Sequence, residues 1–303
     1  MRGRRLALVL VLAILGGVTA DTASAQVKPE ARVPKGAEVD LRPRFTKGQE
    51  VRLKMTLDSK GMGAAEGEDG GTSTKQEIGL LLRCTGVDPE KGYTLDLVYE
   101  SFKATIRNGV ADVEFDSTKP ATPDDPFDAV LRSLVGLTQT VVMDKHGEIT
   151  SVSGGEALRG LAGGLGASFG AADVFKSIFG PITTTKKGQG KASVGESWTT
   201  QSSLEGLMGT TRIEMTHTIA SSSGGRATIT SVGKVLLDPS SGQGTMPPVR
   251  ISDSTITGKT VWDLEGGMLV ESDSRQRLSV QVRRDGKAEN TTQEMNVKVT
   301  RVK

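Results

Sequence analysis

The chain has 303 residues, a formal net charge of +2, 4% aromatic residues and one cysteine. A single cysteine excludes an intrachain disulfide framework, and the nearly balanced charge gives no broad attraction to nucleic acid or to an anionic membrane. Aromatic side chains are too scarce to build stacking platforms for nucleic acid bases, so we expect no nucleic acid partner.

The first 25 residues have the layout of a secretory signal peptide. A basic start, Met1–Arg5, precedes an uncharged apolar run over residues 6–18, and Ala23-Ser-Ala25 supplies a small-residue cleavage pattern. The competing interpretation is a retained anchor, but the apolar run is shorter than the roughly 20 residues that a transmembrane helix needs. We therefore expect export to the periplasm or the extracellular space, with no transmembrane span after cleavage.

Residues 26–40 lack periodicity and predict an extended leader, and strand patterns begin after it. Val51, Leu53, Met55 and Leu57 alternate with polar residues, which is typical of a half-buried strand. The glycine-rich residues 60–74 predict a mobile hairpin loop. Further strands are predicted over residues 75–85, 93–99 and 110–115.

Cys84 falls within the second predicted strand. It shares one strand face with Ile78, Leu80 and Leu82, because alternate residues of a strand point the same way. This position favours a buried small hydrophobic side chain over a reactive thiol.

A first helix is predicted to begin at Asp125. Asp125 suits the N-cap, Pro126 the first helical position, and Gly136 is placed to end the helix. A hairpin is predicted next, with strands at residues 140–144 and 148–152.

A second helix is predicted over residues 156–179, with apolar residues spaced three or four apart and five glycines among them. Glycine destabilises a helix interior by about 1 kcal/mol relative to alanine, so this helix needs tertiary contacts. One hypothesis makes it a removable cover over a concave sheet, and the alternative makes it plain core. The candidate ligand-binding residues under the first hypothesis are Leu158, Leu161, Leu165, Phe169 and Phe175.

Residues 193–303 are nearly all strand pattern, with turns between the runs. The predicted fold is mainly β, an antiparallel curved sheet or open barrel with two helices inserted mid-chain. We divide the chain into a signal peptide (1–25), a leader (26–40), an N-terminal β region with both helices (41–192) and a C-terminal β region (193–303). Whether the two β regions form one continuous domain, or are a duplication, stays open.

Two serine motifs are candidates for a catalytic site. Ser168 lies in Gly166-Ala-Ser-Phe-Gly170, but a nucleophile elbow needs a strand and a sharp turn before the serine, whereas Ser168 lies inside a helical pattern. Ser231 and Lys234 match S-x-x-K, yet a strand pattern would point these side chains apart. Only His217 lies downstream of Ser168 as a base.

No residue pattern predicts a metal or a cofactor. The two histidines are far apart in sequence, no His/Cys pair has metal-ligand spacing, and the phosphate-loop patterns near Lys191 and Lys259 are incomplete. We therefore predict no enzyme activity, no metal and no cofactor.

Several short motifs follow one another along the chain. They are FTKG at 45–48 leading into KMT at 54–56, MDKHGEI at 143–149 followed by Val152 and Gly154, VGESW at 194–198, and WDLEGGMLVE at 262–271. With these motifs, residues 41–303 resemble a family of exported bacterial proteins of unknown function. The resemblance implies secretion and an antiparallel β-rich fold, and it implies no activity or site residue.

The sequence thus predicts an exported, non-enzymatic protein of the cell envelope or periplasm. The expected role is to bind an apolar ligand or a protein partner on a concave sheet. Two alternatives remain: a serine hydrolase that uses Ser168, and a structural or adhesion protein of the envelope.

Overall fold

The structure is a computed structural model. It describes residues 36–62, 71–107, 112–122, 125–154, 174–175, 178–180, 182, 185, 190–206, 209–238, 249–284 and 287–302. Within them it places fourteen strands and the helix α1 at Pro126–Arg132. The strands are β1 Glu38–Asp40, β2 Glu50–Met62, β3 Thr72–Asp88, β4 Gly92–Arg107, β5 Asp112–Asp116, β6 Thr138–Met143, β7 Ile149–Ser153, β8 Lys191–Ser193, β9 Ser197–Gly206, β10 Gly209–Ser223, β11 Arg226–Asp238, β12 Val249–Asp263, β13 Met268–Arg284 and β14 Lys287–Val302.

One large antiparallel sheet of twelve strands forms the body of the molecule. Its order is β7-β6-β4-β3-β2-β14-β13-β12-β11-β10-β9, with β5 paired to β4, and β1 and β8 form a separate two-stranded sheet. The large sheet is curved and does not close on itself. The prediction of a mainly antiparallel, curved β fold is confirmed.

The first and last long strands of the sheet lie side by side. β14 pairs with β2 from Thr292↔Met62 to Val302↔Arg52, so strands of the predicted N- and C-terminal regions belong to the same sheet. The last residues of the predicted leader form β1, which pairs with β8 through Val39↔Ala192.

Several strands are longer than the sequence pattern predicted. β2 and β3 extend into the predicted 60–74 loop, where Lys60 pairs with Ser73 and Gly61 with Thr72. These residues are polar or small, so they carry no hydrophobic alternation, but their backbone groups continue the ladder. Residues 63–70 of that predicted loop lie outside the described residues.

The first helix begins where the sequence predicted. The backbone N–H of Ala129 donates to the Asp125 carbonyl at 3.2 Å, and Pro126 is the first helical residue. The helix ends at Arg132, before the predicted end. Turns then lead to Gly136, whose φ of 84° favours glycine.

Part of the second predicted helix lies against the sheet. Residues 174, 175, 178–180 and 182 are helical, so the helical conformation continues past the end predicted at residue 179. Val174, Phe175, Ile178, Phe179 and Ile182 are all buried. The Phe179 ring is 5.6 Å from Phe175, 5.9 Å from Trp262 and 6.2 Å from Phe45 between centroids. These rings join the helical residues to the main core, which also contains the inner faces of β2–β4.

The sheet has a buried inner face and a charged outer face. Cross-strand ion pairs on the outer face include Lys54–Glu77 at 2.6 Å and Lys234–Glu214 at 3.2 Å. Exposed pairs of this kind contribute little stability, but they show that this face is suited to contact water. Among the residues described, none of the helices has the length and hydrophobicity that crossing a membrane requires.

Candidate functional site

The inner face of four neighbouring strands, β10–β13, is divided by a row of polar residues. At one end, Ile219, Ile229, Trp262 and Leu269 belong to the main core. At the other end lies a separate apolar cluster, called here the inner patch: Ile213, Met215, Val235, Ile256 and Leu278. All five members of the patch are buried strand residues.

The row between the two clusters is called here the polar belt. It consists of the buried residues His217 on β10, Ser231 on β11, Gly258 and Thr260 on β12, and Ser272, Ser274 and Gln276 on β13. The strand register makes Ser231, Gly258 and Ser274 direct neighbours. Strand alternation places these residues on the same face as the inner patch, because they lie an even number of residues from its members.

His217 joins three strands through its ring. Its Nδ1 lies 2.6 Å from Ser231 Oγ on β11, and its Nε2 lies 3.2 Å from Thr200 Oγ1 on β9. The Trp198 ring packs on it with a centroid distance of 5.7 Å. Burial lowers the pKa of His217 to about 4, so the imidazole is neutral at pH 7.

Hydrogen bonds within the belt satisfy only part of its polar groups. Thr260 Oγ1 and Ser272 Oγ lie 3.1 Å apart. Gln276, which is 4% exposed, is different: its side-chain Oε1 is buried and has no hydrogen-bond partner. A buried acceptor without a partner costs about 1–3 kcal/mol. The belt therefore presents one unfilled acceptor to the interior.

A cleft opens in the sheet beside the belt. The β11–β12 ladder ends at Gly233↔Ile256, although β11 continues along β10 and β12 continues along β13. At the point of separation, the Val235 N–H donates to Ser254 Oγ at 2.9 Å, and this hydroxyl donates to the Val235 carbonyl at 2.8 Å. The cleft has a volume of about 510 Å³ and is lined by residues 234–237 and 250–254.

The cleft and the inner patch share their apolar lining. Val235 belongs to both, and Ile251, which lines the cleft, packs against the patch. Ile256 pairs with Gly233 on one side and with Gln276 on the other. The candidate site is therefore the cleft, which meets the inner patch at Val235 and Ile251. Ile256, Leu278 and Gln276 are buried and do not line it.

Of the five sequence-predicted ligand-binding residues, Phe175 is the one that the structure describes, and it belongs to the main core. Leu158, Leu161, Leu165 and Phe169 lie outside the described residues, so their role stays a prediction. Phe175 is fully buried and stacks on Phe179 in the main core. The described end of the predicted cover helix thus packs as core.

The catalytic motifs that the sequence analysis set aside can be placed only in part. Ser168 also lies outside the described residues. Ser231 is buried on the inner face of β11, while Lys234 is on the outer face and pairs with Glu214, as the strand pattern predicted. Ser231 and His217 are close enough for proton transfer, but the other ring partner is the Thr200 hydroxyl, where a catalytic triad has a carboxylate.

Two further expectations concern metal ions and the thiol of Cys84. In the described part of the chain, no three His, Cys, Asp or Glu residues are grouped so that they could hold a metal ion. Cys84 is buried with Ile78, Leu80 and Leu82, as predicted, and burial raises the pKa of its thiol.

No curated protein matches the chain. An outer membrane channel from Pseudomonas putida F1 is 11% identical, with a TM-score of 0.25, over 86% of this chain and 97% of the other. A BenF-like porin from Pseudomonas fluorescens is 8% identical with a TM-score of 0.20, over 85% and 100%. A DUF1329 family protein from Desulfovibrio piger is 7% identical with a TM-score of 0.13, over 82% and 84%. All these similarities are low.

A family model matches one segment of the chain. Residues 90–162, which contain β4–β7, α1 and the MDKHGEI motif at 143–149, match a family of unknown function (DUF6263). Over this segment, the resemblance to an uncharacterised family is confirmed.

Proposed function

We propose that the protein is an exported, non-enzymatic binding protein of the cell envelope, which holds an apolar ligand in the cleft between β11 and β12. The observation that carries the proposal is the cleft itself, in which Val235 is a member of the inner patch and Ile251 packs against it. Its volume of about 510 Å³ is in the range of small-molecule sites, roughly 300–1,000 Å³. This size favours a small molecule over a protein partner.

The hydrogen bonds at the point where β11 and β12 separate support a cleft that is part of the fold. Ser254 satisfies both backbone groups of Val235 with its hydroxyl, so the ladder ends without leaving that peptide unpaired. Lys234, Arg250 and Asp253 are charged and exposed at the edge of the opening. Its apolar side chains are Val235, Leu236, Leu237 and Ile251. Apolar side chains combined with a few polar groups are typical of a ligand pocket.

The chemistry of the only described Ser–His contact argues for binding rather than hydrolysis. A general base works best when its pKa is near the working pH, and the pKa of His217 is lowered to about 4. Ser231 and His217 are both buried within the sheet face. Export is supported by the signal pattern of residues 1–25.

Binding is tested with Nile red, a neutral hydrophobic fluorescent probe. We expect the wild-type protein to bind it, and Ile251→Asp to weaken binding at least tenfold, because a second carboxylate beside Asp253 would replace one of the apolar side chains of the cleft. Val232→Asp is the matched control, since Val232 is on the same sheet but 58% exposed on the outer face. Leu237→Asp repeats the test if Ile251→Asp does not fold. Equal probe affinity in the folded cleft variant and the wild type would overturn the proposal.

The absence of hydrolase activity has its own test. We expect a serine-reactive fluorophosphonate to leave the protein unlabelled and a generic ester to remain uncleaved. Labelling that is lost in Ser168→Ala or Ser231→Ala would establish the hydrolase alternative instead.

A further inference from the structure

We infer that the ligand is a short apolar peptide in an extended conformation, whose backbone pairs with the backbone of Leu237 on β11 and of Ile251 on β12. This inference rests on the proposed function, because it names the class of ligand for the same cleft. It adds the polar groups that the ligand must carry, which are amide N–H and C=O groups directed to both sides of the cleft.

The hydrogen bonds of Val235 fix the direction of the backbone on the β11 side of the cleft. Its N–H and C=O both contact the Ser254 hydroxyl on β12, so they point away from β10. Successive residues of an antiparallel strand direct these groups to opposite sides in turn. Leu237, two residues further on, therefore directs its N–H and C=O into the cleft, and its pair with Thr211 on β10 is one without ladder bonds.

A side-chain hydrogen bond fixes the corresponding direction on the β12 side. The Ser252 hydroxyl donates to the Ser279 carbonyl at 3.1 Å, so Ser279 on β13 directs its backbone groups towards β12. Val280 then directs its own groups away from β12, and its register partner Ile251 forms no ladder bonds with β13. The N–H and C=O of Ile251 therefore point into the cleft, from the side opposite Leu237.

A ligand that fills the cleft has to satisfy these four backbone groups. The β11–β12 ladder ends at Gly233↔Ile256, and among the described residues no backbone bond joins the two strands beyond this pair. Leu237 and Ile251 are half-buried and line the cleft, so solvent satisfies their backbone groups while the cleft is open. A pure hydrocarbon in the cleft would exclude solvent and leave all four groups unpaired. A ligand with its own donors and acceptors on both sides avoids this cost.

An extended peptide carries donors and acceptors in this arrangement. Its N–H and C=O groups alternate between its two sides, which is how a strand inside a sheet pairs with both neighbours and how peptides add to exposed strand edges. Beyond the ladder, β11 continues over residues 234–238, about 17 Å at roughly 3.4 Å per residue. The cleft volume of about 510 Å³ fits such a short segment and is too small for a folded partner.

The side chains around the cleft predict the pattern of the peptide. On the inner side, Val235 belongs to the inner patch and Ile251 packs against it. Lys234, Arg250 and Asp253 are exposed at the edge of the cleft. Alternate residues of an inserted strand would face the inner patch, and the residues between them would face water. We therefore expect apolar and polar residues to alternate in the peptide.

The test is competition against Nile red by the blocked pentapeptide acetyl-Val-Thr-Val-Thr-Val-amide. The same peptide methylated on its three valine nitrogens is the matched ligand, because methylation keeps every side chain and removes the donors to one edge of the cleft. We expect the unmodified peptide to displace Nile red from the wild-type protein at least tenfold better than the methylated one, since buried groups are left unpaired by the latter.

A proline substitution tests the same contact from the protein side. Leu237→Pro removes the N–H that faces the cleft, and this N–H takes no part in the β10–β11 ladder. Leu237→Ala is the matched variant, because it shortens the side chain and keeps the N–H. We expect Leu237→Pro to weaken peptide competition about tenfold more than Leu237→Ala does. Ile251→Pro and Ile251→Ala repeat the comparison at the other edge if Leu237→Pro does not fold.

The outcomes separate the two proposals. If Nile red binds but both peptides compete equally, or neither competes, the peptide inference is wrong and the proposed function stands. Equal losses of peptide competition in the proline and alanine variants would also overturn the inference. If Nile red does not bind the wild type, the proposed function fails, and the inference fails with it.

Discussion

At the scale of single residues, His217 shows how a polar group is accommodated inside this sheet. The imidazole is buried, and both ring nitrogens contact hydroxyls, those of Ser231 and Thr200. These contacts suit the neutral ring, because one nitrogen donates and the other accepts. The folded state therefore disfavours the protonated form.

This environment predicts a pH dependence of stability. The pKa of His217 is about 4 in the folded protein, against 6.5 as its ordinary value, so the unfolded state binds more protons between these pH values. Stability is complete above pH 6.5 and falls as the pH is lowered to 4, by about 3 kcal/mol from this residue. Urea unfolding of the wild type and of His217→Gln across this pH range measures the loss of stability. Parallel stability curves for the two proteins would contradict the assignment.

Two glycines with positive φ should differ in how strongly their substitution by alanine destabilises the protein. Gly92 has a φ of 100°, and a Cβ there would meet the Met143 carbonyl oxygen and lie 2.6 Å from the Asp144 Cα. Gly48 has a φ of 85° with nothing within 4 Å. We expect Gly48→Ala to cost about 1 kcal/mol from the backbone conformation alone, and Gly92→Ala more than about 3 kcal/mol. Thermal unfolding compares them, and similar losses would contradict the close approach.

At the scale of elements, the helical residues 174–182 are tied to the sheet by aromatic packing. Phe179 is 1% exposed and contacts three rings, those of Phe45, Phe175 and Trp262. Such contacts explain how a predicted helix with five glycines is held at its C-terminal end. Packing, rather than helix propensity, stabilises this segment.

Truncation of Phe179 tests this attachment. We expect Phe179→Ala to reduce the free energy of unfolding by about 4 kcal/mol, because a buried aromatic side chain is lost and a cavity is left. Val232→Ala, at a residue that is 58% exposed, should change it by less than about 0.5 kcal/mol. Guanidinium unfolding gives both values. A loss below 1 kcal/mol for Phe179→Ala would mean that these rings do not anchor the segment.

The strands were predictable from the sequence wherever hydrophobic alternation marked one face. The candidate site was not predictable in this way. Val51 to Leu57, and Ile78 to Cys84, alternate in sequence and are buried in the sheet. In contrast, Ser231, Ser274 and Gln276 occupy inner positions with polar side chains, so the same rule would assign them to solvent. The separation of β11 from β12 depends on register, which a single sequence does not specify. The polar belt and the cleft therefore became visible only in the structure.

At the scale of the whole molecule, the sheet runs without interruption from the predicted N-terminal region into the C-terminal one. β2 and β14 pair over eleven register positions, and the main core contains residues from both regions, including Met55 and Val299. Separating them would expose two long strand edges and their apolar faces.

This continuity predicts a single cooperative unfolding transition. Differential scanning calorimetry should give one peak, with calorimetric and van't Hoff enthalpies in agreement, because the shared core leaves neither region an independent unit. Two resolved peaks, one of which survives in a fragment of residues 193–303, would show instead that the C-terminal region folds by itself.

An apolar ligand in the cleft between β11 and β12 can be located directly by a crystal structure of the protein with 1-bromodecane, in which anomalous scattering identifies the bromine. We predict the bromine between β11 and β12, beside Val235 and Ile251. A bromine in the aromatic core around Phe179, or a ligand bound only on the outer face, would contradict the account.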